Sequence, residues 1–214
     1  MHHRRTLTLL LGGLLPAALL LQVGASSARA DGDASGAAGV DARARVLGTQ
    51  IETTADHQPS GPDWGHAVGV VDAPYDAVLK IVTDYERYDE FMPHFKQARV
   101  LSRRGDNALV YMEASILKNA ATLWAQLKVK ALPGRGTTRI VDAKMQKGNM
   151  DQFHAVWELT PVDGGKRTLV DFRIVVEPDL PLPNALFSSE NKKAATKTIK
   201  ALRKRALGTA VARR

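Results

Sequence analysis

A chain of 214 residues with 30 Lys and Arg against 22 Asp and Glu, 44% hydrophobic residues and no cysteine has the length of one ordinary domain or two small ones. The lack of cysteine excludes disulfide staples and thiol chemistry in any compartment, so packing alone must hold the fold. The formal net charge of +8 raises nucleic acid and anionic membrane surfaces as possible partners, and its distribution along the chain decides between them.

Residues 1–30 read as a cleaved export signal. His2, His3, Arg4 and Arg5 form a basic start, residues 6–21 an apolar stretch, and Ala28-Arg29-Ala30 offers small residues at the two positions a signal peptidase reads. The stretch spans roughly 24 Å as a helix against a hydrocarbon layer of roughly 30 Å, short for a permanent crossing. Cleavage near Ala30 and a periplasmic or extracellular location are therefore expected. Removing Arg4, Arg5 and Arg29 leaves 27 basic against 22 acidic residues, a mature charge of +5. Residues 191–214 hold nine of those basic groups and no acid, so residues 31–190 carry −4. The body is mildly acidic and the tail strongly basic.

Residues 31–45, rich in Gly, Ala, Asp and Ser, read as a flexible leader to a folded domain over 46–208, with a basic tail at 209–214. A strand is predicted over 46–54 and, past the turn cluster Pro59-Ser60-Gly61-Pro62-Asp63, a second over 66–71. Pro74 and the spacing of Ala77, Val78, Ile81 and Val82 predict a helix over 74–84, with a short one following over 88–92. Segments 97–103, 108–117, 121–132, 138–146, 152–161 and 168–177 are separated by short turn signals, one of them at Lys118-Asn119. That spacing predicts an antiparallel meander. Within it, Val110, Met112, Ala114 and Ile116, then Leu123, Ala125, Leu127 and Val129, then Phe153, Ala155, Trp157 and Leu159, then Val170, Phe172, Ile174 and Val176 fall on one apolar face. Pro178, Pro181 and Pro183 end the strands, and residues 184–207 read as one long helix. Its apolar stripe, Ala195, Ile199, Leu202 and Ala206, is rich in alanine, while Lys193, Lys197, Lys200 and Lys204 form a basic stripe on another face.

At Asp84-Tyr85-Glu86-Arg87-Tyr88-Asp89-Glu90-Phe91-Met92-Pro93 the chain resembles the START-like superfamily, also called SRPBCC or helix-grip proteins, nearest its polyketide cyclase and coenzyme Q-binding branch. Asp72-Ala73-Pro74, the strand Phe153-His154-Ala155-Val156-Trp157-Glu158-Leu159-Thr160-Pro161 and the Asp163-Gly164-Gly165 hairpin are similar too. Asp89 stands where the family usually has proline, and Ala155 where glycine is common. The resemblance, covering about residues 66–207, implies an α+β helix-grip fold in which a curved antiparallel sheet wraps a C-terminal helix around an apolar cavity. An alanine-rich helix face fills less volume than a leucine face, which adds a physical reason to expect empty space.

The fold and pattern together predict an exported protein enclosing a hydrophobic small molecule: a lipid, an isoprenoid or a quinone-like compound. Ala125, Leu127, Phe153, Trp157, Phe172, Ala195, Ile199 and Leu202 are the candidate lining, although any one of these aromatics taken alone reads as plain core. The lysine stripe reads either as a solvated face or as a contact for an anionic membrane surface. Export leaves no role for nucleic acid. The alternative is a cyclase- or aromatase-like enzyme using the same cavity, which requires an acid or base inside. Tyr111, Glu113, Asp142, His154 and Arg173 all fall on the solvent phase of the alternation, so no catalytic residue is assigned. No metal site or cofactor is expected: His57, His66, His94 and His154 lack ligand spacing, and no nucleotide-binding motif or nucleophile elbow is present.

Overall fold

A computed structural model describes residues 27–116 and 121–211. Eight strands form one antiparallel sheet: β1 (Ile51–Asp56), β2 (Trp64–Val71), β3 (Phe95–Arg104), β4 (Asn107–Ile116), β5 (Ala121–Pro133), β6 (Arg139–Gly148), β7 (Met150–Val162) and β8 (Arg167–Pro178). Their spatial order is β1-β2-β8-β7-β6-β5-β4-β3, so β3 to β8 run as a meander and β2 closes against β8. Between β2 and β3 lie helix α2 (Tyr75–Thr83), a 3-10 turn at Tyr85–Arg87 and the short helix α3 (Tyr88–Phe91), and the chain ends on α4 (Asn184–Val211). The predicted α+β helix-grip arrangement is therefore present, with strand and helix limits within a few residues of the spacing-based ones. The turn at Lys118-Asn119 and residues 1–26 of the expected signal lie outside the described residues.

The N-terminal segment departs from expectation. Where a flexible leader and a strand from Val46 are predicted, the chain is helical as α1 (Ser27–Leu47), and β1 begins only at Ile51. Val40, Ala44 and Leu47 share one helical face at spacings of four and three, and they pack on Val68, Val70, Val162 and Leu169 of the sheet. Ala44 and Leu47 are buried, and Asp41 accepts a hydrogen bond from the Asp163 backbone N–H at 2.9 Å. A composition rich in Gly, Asp and Ser hid a three-residue apolar stripe. That stripe needs a partner surface from β2, β7 and β8 to have any consequence.

The main core lies on the other face of the sheet, where the inward strand residues meet α2, α3 and α4. Tyr88 anchors the corner between the helices: its hydroxyl donates to the Val82 carbonyl at 2.6 Å, and its ring meets Tyr85, Phe91 and Phe95 edge to face. Burial pushes the Tyr88 phenol well above its ordinary value of about 10, and burial also raises Tyr85. The folded state thus holds these protons more tightly than the unfolded chain. Their contribution is fully present below about pH 10 and is lost as the pH rises further, because the unfolded chain then gains stability by ionising. Urea midpoints measured from neutral pH to above pH 10 should fall on the alkaline side. Tyr88→Phe should lower the neutral-pH stability by about 1 kcal/mol through the lost hydrogen bond, yet flatten the alkaline decline. An unchanged alkaline slope in the variant would assign the decline to other groups.

Candidate functional site

The position of α4 decides where space is left. Its alanine-rich stripe lies directly on β2: Ala195, Ile199, Leu202 and Ala206 are buried in the core. β2 has glycine at the two crossing points. A Cβ at Gly65 would sit 1.9 Å from the Asn191 carbonyl oxygen, and one at Gly69 would sit 3.3 Å from the Ile199 Cγ2 methyl. Asn191 fastens the contact, accepting from the Val176 N–H at 3.1 Å and donating to the Asp63 carbonyl at 3.1 Å. At the far end Arg203 clamps the helix to β2 and to the two residues that lead into β1. Its guanidinium donates to the carbonyls of Val70 at 2.8 Å, Thr49 at 2.7 Å and Gln50 at 3.1 Å. Small residues on both elements therefore draw helix and strand together at this end of the sheet.

The sheet then curves away from α4. Bulges between Gln126 and Leu127, between Met150 and Gln152 and within β3 bend it, so β4, β5, β7 and β8 face the neighbouring flank of the helix across a gap. The result is a cavity of about 680 Å³. This is within the roughly 300–1,000 Å³ of sites for small molecules. Met112, Leu123, Ala125, Leu127, Phe153 and Ile174 line the sheet wall, and Phe187, Ala194 and Thr198 line the helix wall. A smaller pocket of about 50 Å³ continues inward past Thr198, bounded by Trp157, Phe172, Ala155 and Val141. Trp157 and Phe172 close it with ring centroids 4.2 Å apart. The mouth lies between the loop at Pro93 and His94, the turn leading into α4 with Leu180 and Leu182, and the first half of α4 with Leu186, Glu190, Lys193 and Lys197. Leu182 and Leu186 are exposed there.

The sequence-derived lining separates into three groups. Ala125, Leu127 and Phe153 face the main cavity, and Trp157 and Phe172 form the end of the inner pocket. Ala195, Ile199 and Leu202 line neither space, because close docking on Gly65 and Gly69 has consumed the room that small side chains would leave. The helix residues that do face the cavity, Phe187, Ala194 and Thr198, carry no common signal of their own. They are recognisable only as the flank beside the buried stripe.

The basic residues of α4 also divide. Lys193, Lys197, Lys200 and Lys204 are exposed along one face of α4, with exposed Leu186 and Leu207 at its two ends, and Lys193 and Lys197 border the cavity mouth. Arg203 and Arg205 belong elsewhere. Arg203 is the backbone clamp, and Arg205 pairs with Glu90 at 2.6 Å and lies 5.5 Å from the Phe91 ring centre. Only part of the tail's positive charge is therefore available to a surface.

The polar side chains on the solvent phase pair with one another on the outer face of the sheet. Tyr111 donates to Glu113, His154 meets Asp142, and Arg173 lies within 3.5 Å of both Glu158 and Asp171. None of them lines the cavity. Among the described residues there is no cluster of three or more His, Asp or Glu that could hold a metal ion, and no helix long and apolar enough to cross a membrane.

Residues 71–203 match the family model described as polyketide cyclase / dehydrase and lipid transport. No curated protein matches the chain. Among solved structures, the STAR-related lipid transfer protein of Xanthomonas axonopodis superposes with a TM-score of 0.63 at 16% identity, over 73% of this chain and 93% of that one. A START superfamily protein of Mycobacterium smegmatis gives 0.60 at 20% identity, over 68% and 98%. Human StAR-related lipid transfer protein 5 gives 0.58 at 10% identity, over 84% and 99%. At these identities the likeness establishes the fold.

Proposed function

The chain belongs to the polyketide cyclase/dehydrase and lipid transport family, and from that premise we propose that it is an exported carrier that encloses a hydrophobic small molecule between its curved sheet and α4. The observation that carries this reading is the cavity itself: about 680 Å³, walled by Met112, Leu123, Leu127, Phe153 and Ile174, with the charged lining groups among the described residues confined to the mouth. Transfer into such a space is driven by desolvation at about 25 cal/mol per Å² of apolar surface buried. The absence of Tyr111, Glu113, Asp142, His154 and Arg173 from the wall favours carriage over acid–base chemistry, which needs a proton donor or acceptor at the reacting atoms. The basic start, apolar run and small-residue site of residues 1–30 support export.

Native mass spectrometry of the purified mature protein is expected to show a co-purifying apolar molecule that is released on denaturation. Protein that is ligand-free from every preparation and fails to take up a neutral apolar dye such as Nile red would sink the carrier reading.

The exposed lysine stripe and the exposed Leu182 and Leu186 at the mouth support docking on an anionic membrane surface, with the cavity opening toward the lipid. Each basic residue near such a surface contributes on the order of 1 kcal/mol, screened by salt. Simultaneous Lys→Glu changes at Lys193, Lys197, Lys200 and Lys204 should weaken binding to phosphatidylglycerol vesicles by on the order of tenfold or more. The same variant should leave binding to neutral phosphatidylcholine vesicles unaltered. Undiminished binding to the anionic vesicles removes the membrane role.

A further inference from the structure

The cavity carries its charge at one end. Among the described residues its charged lining groups are Glu190, Lys193 and Lys197, all on the first half of α4 at the mouth. Lys193 Nζ is engaged with Glu190 Oε1 at 2.8 Å. Lys197 has no ion-pair or hydrogen-bond partner among the described residues, so these three groups leave one positive charge uncompensated beside an apolar chamber. Asn191 lines the cavity as well, with one acceptor site of its amide taken by the Val176 N–H and one donor given to the Asp63 carbonyl. Further in, Thr198 marks the junction with the pocket of Trp157 and Phe172. Its hydroxyl makes no hydrogen bond to the protein among the described residues, whereas Thr196 on the same helix turns back to the Lys192 carbonyl.

We infer that the cargo is an acidic amphiphile carried head outward, with its carboxylate or phosphate against Lys197 at the mouth and its hydrocarbon tail reaching past Thr198 to Trp157. This inference rests on the carrier reading and adds the charge and orientation of the ligand. Among the described residues the inner pocket offers no cation, so a buried acidic head would have no counter-charge; at the mouth the head meets Lys197 and keeps water on its outer side. An uncharged lipid of the same length fills the apolar chamber equally well but leaves Lys197 without a partner. Charge at the mouth therefore supplies selectivity, and the chamber supplies most of the affinity.

The test is vesicle-free binding of four probes to the delipidated mature protein: oleic acid, oleyl alcohol, oleoyl lysophosphatidate and Nile red. The wild type should bind oleate roughly fivefold more tightly than oleyl alcohol at low salt, a preference that shrinks as salt is added. Lys197→Ala should bring that ratio close to one while leaving oleyl alcohol binding as it was. Glu190→Gln should widen it, because Lys193 is then released to the head. Lys128→Ala, exposed on β5 and absent from the cavity lining, should change nothing. A stronger response of lysophosphatidate than of oleate to Lys197→Ala assigns a phosphate head, and the reverse assigns a carboxylate. If oleyl alcohol and Nile red bind but oleate is not preferred, or if Lys197→Ala keeps the full preference, the head-outward inference is overturned while the carrier reading stands. If none of the four probes binds, both fall together.

Discussion

Gly65→Ala is expected to destabilise the protein by about 3 kcal/mol or more and to lower Tm by on the order of 10 °C. The added Cβ would lie 1.9 Å from the Asn191 carbonyl oxygen, 2.1 Å from its carbon and 2.6 Å from the Lys192 nitrogen. All three are backbone atoms of α4, so no rotamer change makes room. The helix would have to lift from β2, which pulls Asn191 off the Val176 N–H and the Asp63 carbonyl and loosens Ala195 and Ile199 from the core. Thermal unfolding of the variant beside Gly208→Ala provides the check. Gly208 sits near the end of the same helix with nothing within 4 Å of its added Cβ, so alanine there should be neutral or slightly stabilising through helix propensity. Equal stability of the two variants would mean that α4 does not dock as closely as the structure shows.

The second large effect concerns binding with stability spared. Ala194 is half-buried on the cavity flank of α4, one residue before the buried Ala195. Ala194→Trp should place an indole in the chamber facing Leu127 and Phe153, abolishing the co-purifying ligand and weakening Nile red uptake by on the order of a hundredfold or more. Because the ring enters empty apolar space, the unfolding midpoint should stay within about 1 kcal/mol of the parent or rise. Leu207→Trp, on the exposed face of the same helix, is the matched control and should bind as the parent does. Full ligand load in the Ala194→Trp protein would place the binding site elsewhere.

These two positions show how far sequence reading reached. The alternation in β4, β5, β7 and β8 is a local property, and it identified Ala125, Leu127 and Phe153 on the cavity wall and Trp157 and Phe172 at its end. Helical spacing likewise identified Ala195, Ile199, Leu202 and Ala206 as the buried stripe of α4. It also assigned three members of that stripe, Ala195, Ile199 and Leu202, to the cavity lining, whereas the structure seats them on β2. A run of alanine at helical spacing is compatible with a void and equally with close approach, and the difference lies in Gly65 and Gly69 about 130 residues away. The basic tail posed the same difficulty. Arg203 is indistinguishable in sequence from its lysine neighbours until the carbonyls of Thr49, Gln50 and Val70 are brought against it.

The N-terminal segment shows the converse error. Its Gly, Asp and Ser content outweighed a stripe of only three apolar residues, Val40, Ala44 and Leu47, which acquires a partner when Val68, Val70, Val162 and Leu169 assemble on the outer face of the sheet. Element order from the first strand onward, strand phase, the helical stripe of α4 and the contrast in charge between residues 31–190 and 191–214 were all determined by the sequence alone, because each depends on local stretches of chain. Which flank of α4 faces the cavity, and which of its cations remain free, was decided only by the tertiary structure. Both follow from where the helix seats on β2, a contact between residues far apart in the chain that leaves no periodic trace in either segment.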